Sequence, residues 1–237
     1  MDNRIDPSAI LREAVELTEK GCYEEALLRH LWFHQHALEH KPAQYGVRLS
    51  FALSYWMQLA EAYPPALDAL RSIRDTKMDE LAGGGGSRHS FNDVVAINDH
   101  IGEVPRTAEL FRMLDARYPE IAKDCYSSAE DALIGEGEYV LCERYLSDLD
   151  AKLESIRDKR ECLIECDEES VRDLPPELLR FPEQLFAKDV GQLIEILHCA
   201  GRTAEAARVK AWALTVSDSQ EVRDVVERLP SAPSAVE

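Results

Sequence analysis

No uncharged apolar stretch of this 237-residue chain approaches the ~20 residues needed to span a bilayer. The opening MDNRIDPSAI also lacks an apolar core behind a basic segment, so neither a membrane span nor an export signal is expected. Cysteine pairs at C-x-x-C spacing are missing as well. Six thiols (Cys22, Cys125, Cys142, Cys162, Cys166 and Cys199) are scattered along the chain, which fits reduced side chains in a cytoplasm better than a disulfide framework. Cys162 and Cys166 stand i, i+4, yet two thiols make only half of a zinc site. Basic residues are scarce: 27 Lys plus Arg face 45 Asp plus Glu, a net charge of -18. Residues 1–118 hold 13 basic and 18 acidic side chains and residues 119–237 hold 14 and 27, so the excess is concentrated in the second half. Such a field repels phosphate backbones and anionic lipid, which excludes nucleic-acid and membrane partners.

The motifs of catalysis are absent too. GGGGSRHS (83–90) has no Lys-Ser or Lys-Thr behind it and no strand ahead of it, so it reads as a flexible loop between helices, not a phosphate cradle. No G-x-S-x-G elbow and no H-E-x-x-H occurs. Acidic runs such as EECDEES lack the central Gly of a calcium loop. The expectation is a protein without catalytic residues and without a cofactor.

What the chain does hold is helical periodicity. Apolar residues recur at three and four positions almost throughout, and alternating β-branched runs are missing, which predicts an all-α fold. Asp6-Pro7, Tyr63-Pro64, Val104-Pro105, Tyr118-Pro119 and Leu174-Pro175 put proline where a first-turn N–H needs no partner. EKGCYEEALLRH, AEAYPPALDAL, HIGEVPRTAELFRML, GEGEYVLCERYL and HCAGRTAEAARVKAWAL each join the end of one helix to the start of the next through a small residue. Their markers, Gly21, Ala62, Gly102, Gly137 and Gly201, are separated by 41, 40, 35 and 64 residues, or one hairpin per 32–41.

The stretch EKGCYEEALLRHLWFHQHALEHKP resembles the tetratricopeptide repeat family, with Gly21, Tyr23, Ala26, Ala37 and Pro42 at the family's small, aromatic, Ala, Ala and Pro positions. YWMQLAEAYPPALDAL is a second partial match, through Trp56, Leu59, Ala60, Tyr63, Ala66 and Ala69. The resemblance implies a right-handed solenoid of antiparallel helical hairpins over residues 1–166, with hairpins continuing the stack over 167–229 and a disordered tail at 230–237. It also implies a scaffold that binds a protein or peptide in its groove, with Arg12, Arg48, Tyr55, Asn92 and Asn98 as partner-binding candidates. These residues are too few for a carboxylate clamp, and the overall charge favours a basic or amphipathic segment.

Two features compete with that reading. Residues 137–166 contain no Pro, and no Gly after Gly137, so they predict one helix of about 45 Å. Along it Cys142, Leu146, Leu149, Leu153, Ile156, Arg160 and Leu163 follow a 4-3 alternation. That is the seam of a homodimer, with Leu146, Leu149, Leu153 and Ile156 at its centre, or a face turned toward the helix's own neighbours. The second feature is RHLWFHQHALEH, which packs four of the seven histidines into residues 30–40. At about 100° per residue, His30 and His34 fall within the apolar face of Ala26, Leu27, Leu31, Phe33, Ala37 and Leu38. His36 and His40 lie opposite, beside Trp32. Four ligands on one metal are thereby excluded. The inner pair, His30 and His34, is expected as interior hydrogen-bonded residues, with a metal or small-molecule site built around them as the alternative.

Overall fold

A computed structural model describes residues 5–165 and 180–228. Among them every regular element is helical and there is no strand. The helices are α1 (Pro7–Glu19), α2 (Tyr23–His40), α3 (Tyr45–Leu49, after a 3-10 turn at Pro42–Gln44), α4 (Phe51–Ala62), α5 (Pro65–Ala82), α6 (Arg88–Ile101), α7 (Pro105–Arg117), α8 (Pro119–Gly135), α9 (Tyr139–Arg144), α10 (Leu149–Ile164), α11 (Phe181–Cys199), α12 (Thr203–Val216) and α13 (Gln220–Arg228). No helix among the described residues is long and apolar enough to cross a membrane. The described cysteines form no disulfide, and Cys166, Leu174-Pro175 and the 230–237 tail lie outside the described residues.

Proline opens α1, α7 and α8, as the sequence predicts, and Pro64 takes the cap position of α5. Asp6 caps α1 with its carboxylate on the Ser8 amide, 3.1 Å away. Four of the five small-residue markers form one recurring turn. Gly21, Gly102, Gly137 and Gly201 have φ between 72° and 76°, a left-handed conformation that costs other residues energy. The following amide then reaches back five residues, as from Cys22 to the Leu17 carbonyl (2.9 Å) and from Glu103 to that of Asn98 (2.8 Å). The turn at Ala62 is built differently: Tyr63 closes α4 on the Leu59 carbonyl and the Pro64-Pro65 pair begins the next helix.

The chain divides into two compact units at Ala132/Leu133, ahead of the 166/167 boundary that the sequence suggests. In the first, α1 packs along α2, α5 along α6, and α4 touches α2, α5 and α6. Trp56, 1% exposed, sits in a core with Ala26, Leu53, Leu59, Ala66, Leu70 and Ile97, and its indole N–H donates to the Ala66 carbonyl at 2.9 Å. Small residues at Ala26 and Ala66 are 0% exposed, consistent with close helix approach.

The loop expected between helices at 83–90 is shorter in the structure, since α5 ends at Ala82 and Arg88 already lies in α6, and its glycines are closely packed. Gly84 and Gly86 take φ of +78° and +77°, and a Cβ built on Gly84 would lie 2.6 Å from the Tyr118 ring. Ser87 then caps α6, accepting from the Ser90 amide. The segment is a fitted turn against α8's leading residue.

In the second unit, α11 is central, contacting α9, α10, α12 and α13. Residues 137–166 do not form one continuous helix. The chain leaves helical geometry after Arg144, where Tyr145 and Leu146 close on the Cys142 and Glu143 carbonyls, and it re-enters at Leu149. Asp148 causes the restart: its carboxylate accepts from the Ala151 amide at 3.1 Å, so Ser147-Asp148 offers the backbone a cap in place of helix interior. The seam is used inside the unit. Leu149, Leu153 and Ile156 are buried with Phe186, Val190, Leu193 and Leu197, and Leu146 packs against them. Arg160, the charged seam position, pairs with Glu183 of α11 and lies 5.5 Å from the Phe186 ring centre. A dimer through this face would have to expose that core.

Candidate functional site

The features with chemical content converge in the first unit, beneath α2. Its buried stripe is Ala26, His30, Phe33, His34 and Ala37, so both inner histidines are interior, at 1% and 5% exposure. His30 stacks on Trp56 (ring centres 5.4 Å apart, 29° between planes) and His34 meets the same indole edge-on at 6.1 Å. Neither ring nitrogen of His30 has a hydrogen-bond partner among the described residues. The hydrogen bond expected of an interior histidine is therefore not made by His30 among the described residues; the ring contact it makes there includes the stack on Trp56.

His34 belongs to a polar cluster. Short helix α3 brings Arg48 beneath α2, where its Nε donates to the His34 backbone carbonyl at 2.7 Å. Nη1 and Nη2 form a two-point pair with Asp93 of α6 at 2.6 and 2.8 Å, and Nη2 also donates to His34 Nε2 at 3.3 Å. A guanidinium only donates, so Nε2 accepts and the His34 proton resides on Nδ1. Lys77 of α5 reaches the same carboxylate at 2.7 Å. Two cations thus share one anion, so the Arg48–Asp93–Lys77 trio carries a net charge of +1 inside a chain of net charge -18.

Protonation states follow from this environment. Burial pushes the His34 pKa down to about 4, with the Arg48 charge acting in the same direction. Burial alone brings His30 to about 4. Burial would raise Asp93, but the hydrogen bonds and charges of Arg48 and Lys77 outweigh it and hold the carboxyl below its ordinary range.

A second polar cluster joins α5, α6 and α7. Arg74, 1% exposed, donates to Asn98 at 3.0 Å, to Glu103 at 2.5 Å and to Asp75 at 2.8 Å. Asn98, 0% exposed, passes its amide hydrogen to Thr107 at 3.0 Å.

These placements reassign the sequence-derived residues. Asn98 is sealed inside the second cluster. Asn92 donates to the Tyr45 hydroxyl at 2.9 Å and accepts from Ser128 at 2.7 Å, which makes it a strut between α3, α6 and α8. Arg48 is 7% exposed and anchors the first cluster. Burial thus leaves Asn98 no surface and Arg48 very little. Only Arg12 and Tyr55 come together at a surface: they line a cleft of about 380 Å³ with Ser8, Leu11, Val15, Gln44 and Val47. Lys77 and Asp93 escaped sequence analysis; the one available signal was Asp93's position on the apolar face of α6, among Phe91, Val94 and Ile97.

Among the described residues no set of carboxylates or thiols completes a ligand set around the inner histidines. His34 Nε2 is occupied by a guanidinium, whose charge opposes a metal cation, and no group of three or more His, Cys, Asp or Glu among the described residues is arranged to hold one. Of the outer pair, His40 stacks on Trp32 with ring centres 5.5 Å apart, His36 lies tilted to the same ring at 5.6 Å, and His36 Nδ1 contacts Glu39.

His30 carries a measurable consequence. Its buried N–H without an acceptor costs about 1–3 kcal/mol, more than the ~0.5–1.5 kcal/mol from stacking on Trp56. His30→Leu is therefore expected to raise stability by about 1 kcal/mol at pH 7 in a urea titration, and a loss of stability would show that the ring has a partner in solution.

No protein-family model matches this chain, and neither a curated protein nor a solved structure is detectably similar to it.

Proposed function

We propose that the chain is a non-enzymatic scaffold that binds an amphipathic segment of a protein partner in the cleft between α1, α3 and α4. The observation that carries this reading is the composition of that cleft. Leu11, Val15, Val47 and Tyr55 form its walls, and at its edge Arg12 has neither ion pair nor hydrogen bond among the described residues. An unpaired guanidinium in so acidic a protein, beside a half-buried tyrosine, suits a segment with an apolar side chain for the walls and an acceptor for the arginine. Basic residues elsewhere on the segment would complement the acidic remainder of the chain.

A right-handed, tetratricopeptide-like stacking of the hairpins belongs to the same proposal. It is supported by the recurring left-handed glycine turns, by the Ala26–Trp56–Ala66 packing and by the Tyr23–Tyr63 stack between two hairpins, with ring centres 6.0 Å apart.

Affinity capture followed by mass spectrometry tests the reading when wild type is compared with the double variant Arg12→Glu, Tyr55→Ala. Both side chains are at the surface or half-buried, so the helical signal and melting temperature should stay close to wild type. A partner held by wild type and bound at least tenfold more weakly by the variant is the expected result. Equal capture by both proteins overturns it.

A further inference from the structure

A second cleft, separate from the α1–α3–α4 one, opens between α2 and α5 above the Arg48–Asp93–Lys77 cluster. It has a volume of about 600 Å³ and is lined by Leu31, His34, Arg48, Ile73, Lys77 and Glu80, among others. Such a volume suits a small organic molecule. From its floor and walls we infer that it is a binding site for a small amphiphilic monoanion: a carboxylate head on Lys77 and His34, with an apolar body against Leu31, Ala69 and Ile73.

The head-group chemistry follows from counting donors. Lys77 gives one N–H to Asp93 and has no other partner among the described residues, which leaves two N–H groups on an ammonium whose side chain is 24% exposed. With Nε2 accepting from Arg48, His34 carries its proton on Nδ1; that nitrogen makes no hydrogen bond within the described residues, and the residue lines the cleft. Arg48 uses four of its five N–H bonds on His34 and Asp93. The floor therefore presents donors in excess of acceptors.

Charge selects the valence. Arg48 and Lys77 against Asp93 leave a surplus of one positive charge, which a monoanion neutralises. A dianion would overshoot and leave net negative charge facing Glu80 on the exposed rim. A cation would add to the surplus. The walls select the rest of the ligand, since half-buried Leu31, Ala69 and Ile73 offer apolar surface beside the charged floor.

Octanoate and 2-naphthoate serve as probes, titrated into the full chain at pH 7 by calorimetry, with octanol and octylammonium as controls for the head group. At least one carboxylate is expected to bind with a dissociation constant below 10 mM, at least tenfold tighter than octanol and octylammonium. In Lys77→Met the affinity should fall at least tenfold. That variant keeps the Arg48–Asp93 pair, one cation against one anion, so it is expected to fold; if it does not, the ranking of carboxylate over alcohol and ammonium in wild type decides alone. Arg12→Glu should leave carboxylate binding unchanged, which separates this site from the α1–α3–α4 cleft. Absence of binding by both carboxylates, equal binding of octanol, or unaltered affinity in a folded Lys77→Met overturns the inference.

Discussion

Asp93→Ala is expected to remove about 3–5 kcal/mol of stability, the cost of breaking a buried ion pair and leaving its partner charge behind. Against a typical ~5–15 kcal/mol for a folded domain, that loss is a large fraction of the total. The magnitude comes from what remains, not from what is deleted. Arg48 stays fixed to the His34 carbonyl without its carboxylate partner, and Lys77 loses the one ion pair it makes among the described residues. The contrast between variants is the sharper test. Lys77→Met deletes the exposed member of the trio and should cost under about 1 kcal/mol, because Asp93 keeps its two-point pair with Arg48. Replacing all three together, Arg48→Met, Asp93→Leu and Lys77→Met, should recover most of the stability that Asp93→Ala loses, since apolar packing substitutes for buried ion pairs at little net cost. Urea titrations followed by tryptophan fluorescence read all three. An Asp93→Ala midpoint within error of wild type would show that the cations are compensated elsewhere.

Acidification from pH 7 to pH 4 should destabilise the same unit by a comparable or larger amount. His30 and His34 have pKa values near 4 in the folded chain, against about 6.5 when exposed. Between those values the unfolded chain binds protons that the folded chain refuses. Stability is therefore complete above about pH 6.5 and declines as the pH falls toward 4. Each histidine contributes a slope of up to about 1.4 kcal/mol per pH unit, and the pair together costs on the order of 5 kcal/mol by pH 4. Chemistry and geometry agree on the direction, since a proton on His34 would stand beside Arg48 and Lys77 with Asp93 as the single counter-charge. Asp93 and Glu103 are held below their ordinary values, so their contributions are lost only at more acidic pH. His30→Leu should halve the slope between pH 6.5 and 4. A melting temperature that stays flat from pH 7 to pH 5 would contradict burial of both rings.

Helix positions were legible because they depend on local signals: proline at first turns, glycine at the left-handed turns and the apolar stripe of α2, which places both inner histidines correctly. The 4-3 seam was legible as a buried face but not as to its partner, because periodicity records that a face is covered and not by what. The interruption at 145–148 was missed for another reason. Absence of Pro and Gly leaves helix interior open, yet Ser147-Asp148 competes with it through a side-chain cap. The polar clusters were the least accessible. Arg48 and Asp93 are 45 residues apart, and each alone reads as a surface residue until the fold brings it to the other.

The four glycines of residues 83–86 bear on engineering of the chain. On composition they are where a tag or reporter would be inserted, since polar, glycine-rich stretches between helices tolerate additions best. Here the ring of Tyr118 occupies the volume that a side chain on Gly84 would need, while Leu81 lies close behind Gly86. An insertion at this turn would displace the residue that leads into α8 and disturb how two distant parts of the chain are held together, so permissive sites should be sought elsewhere.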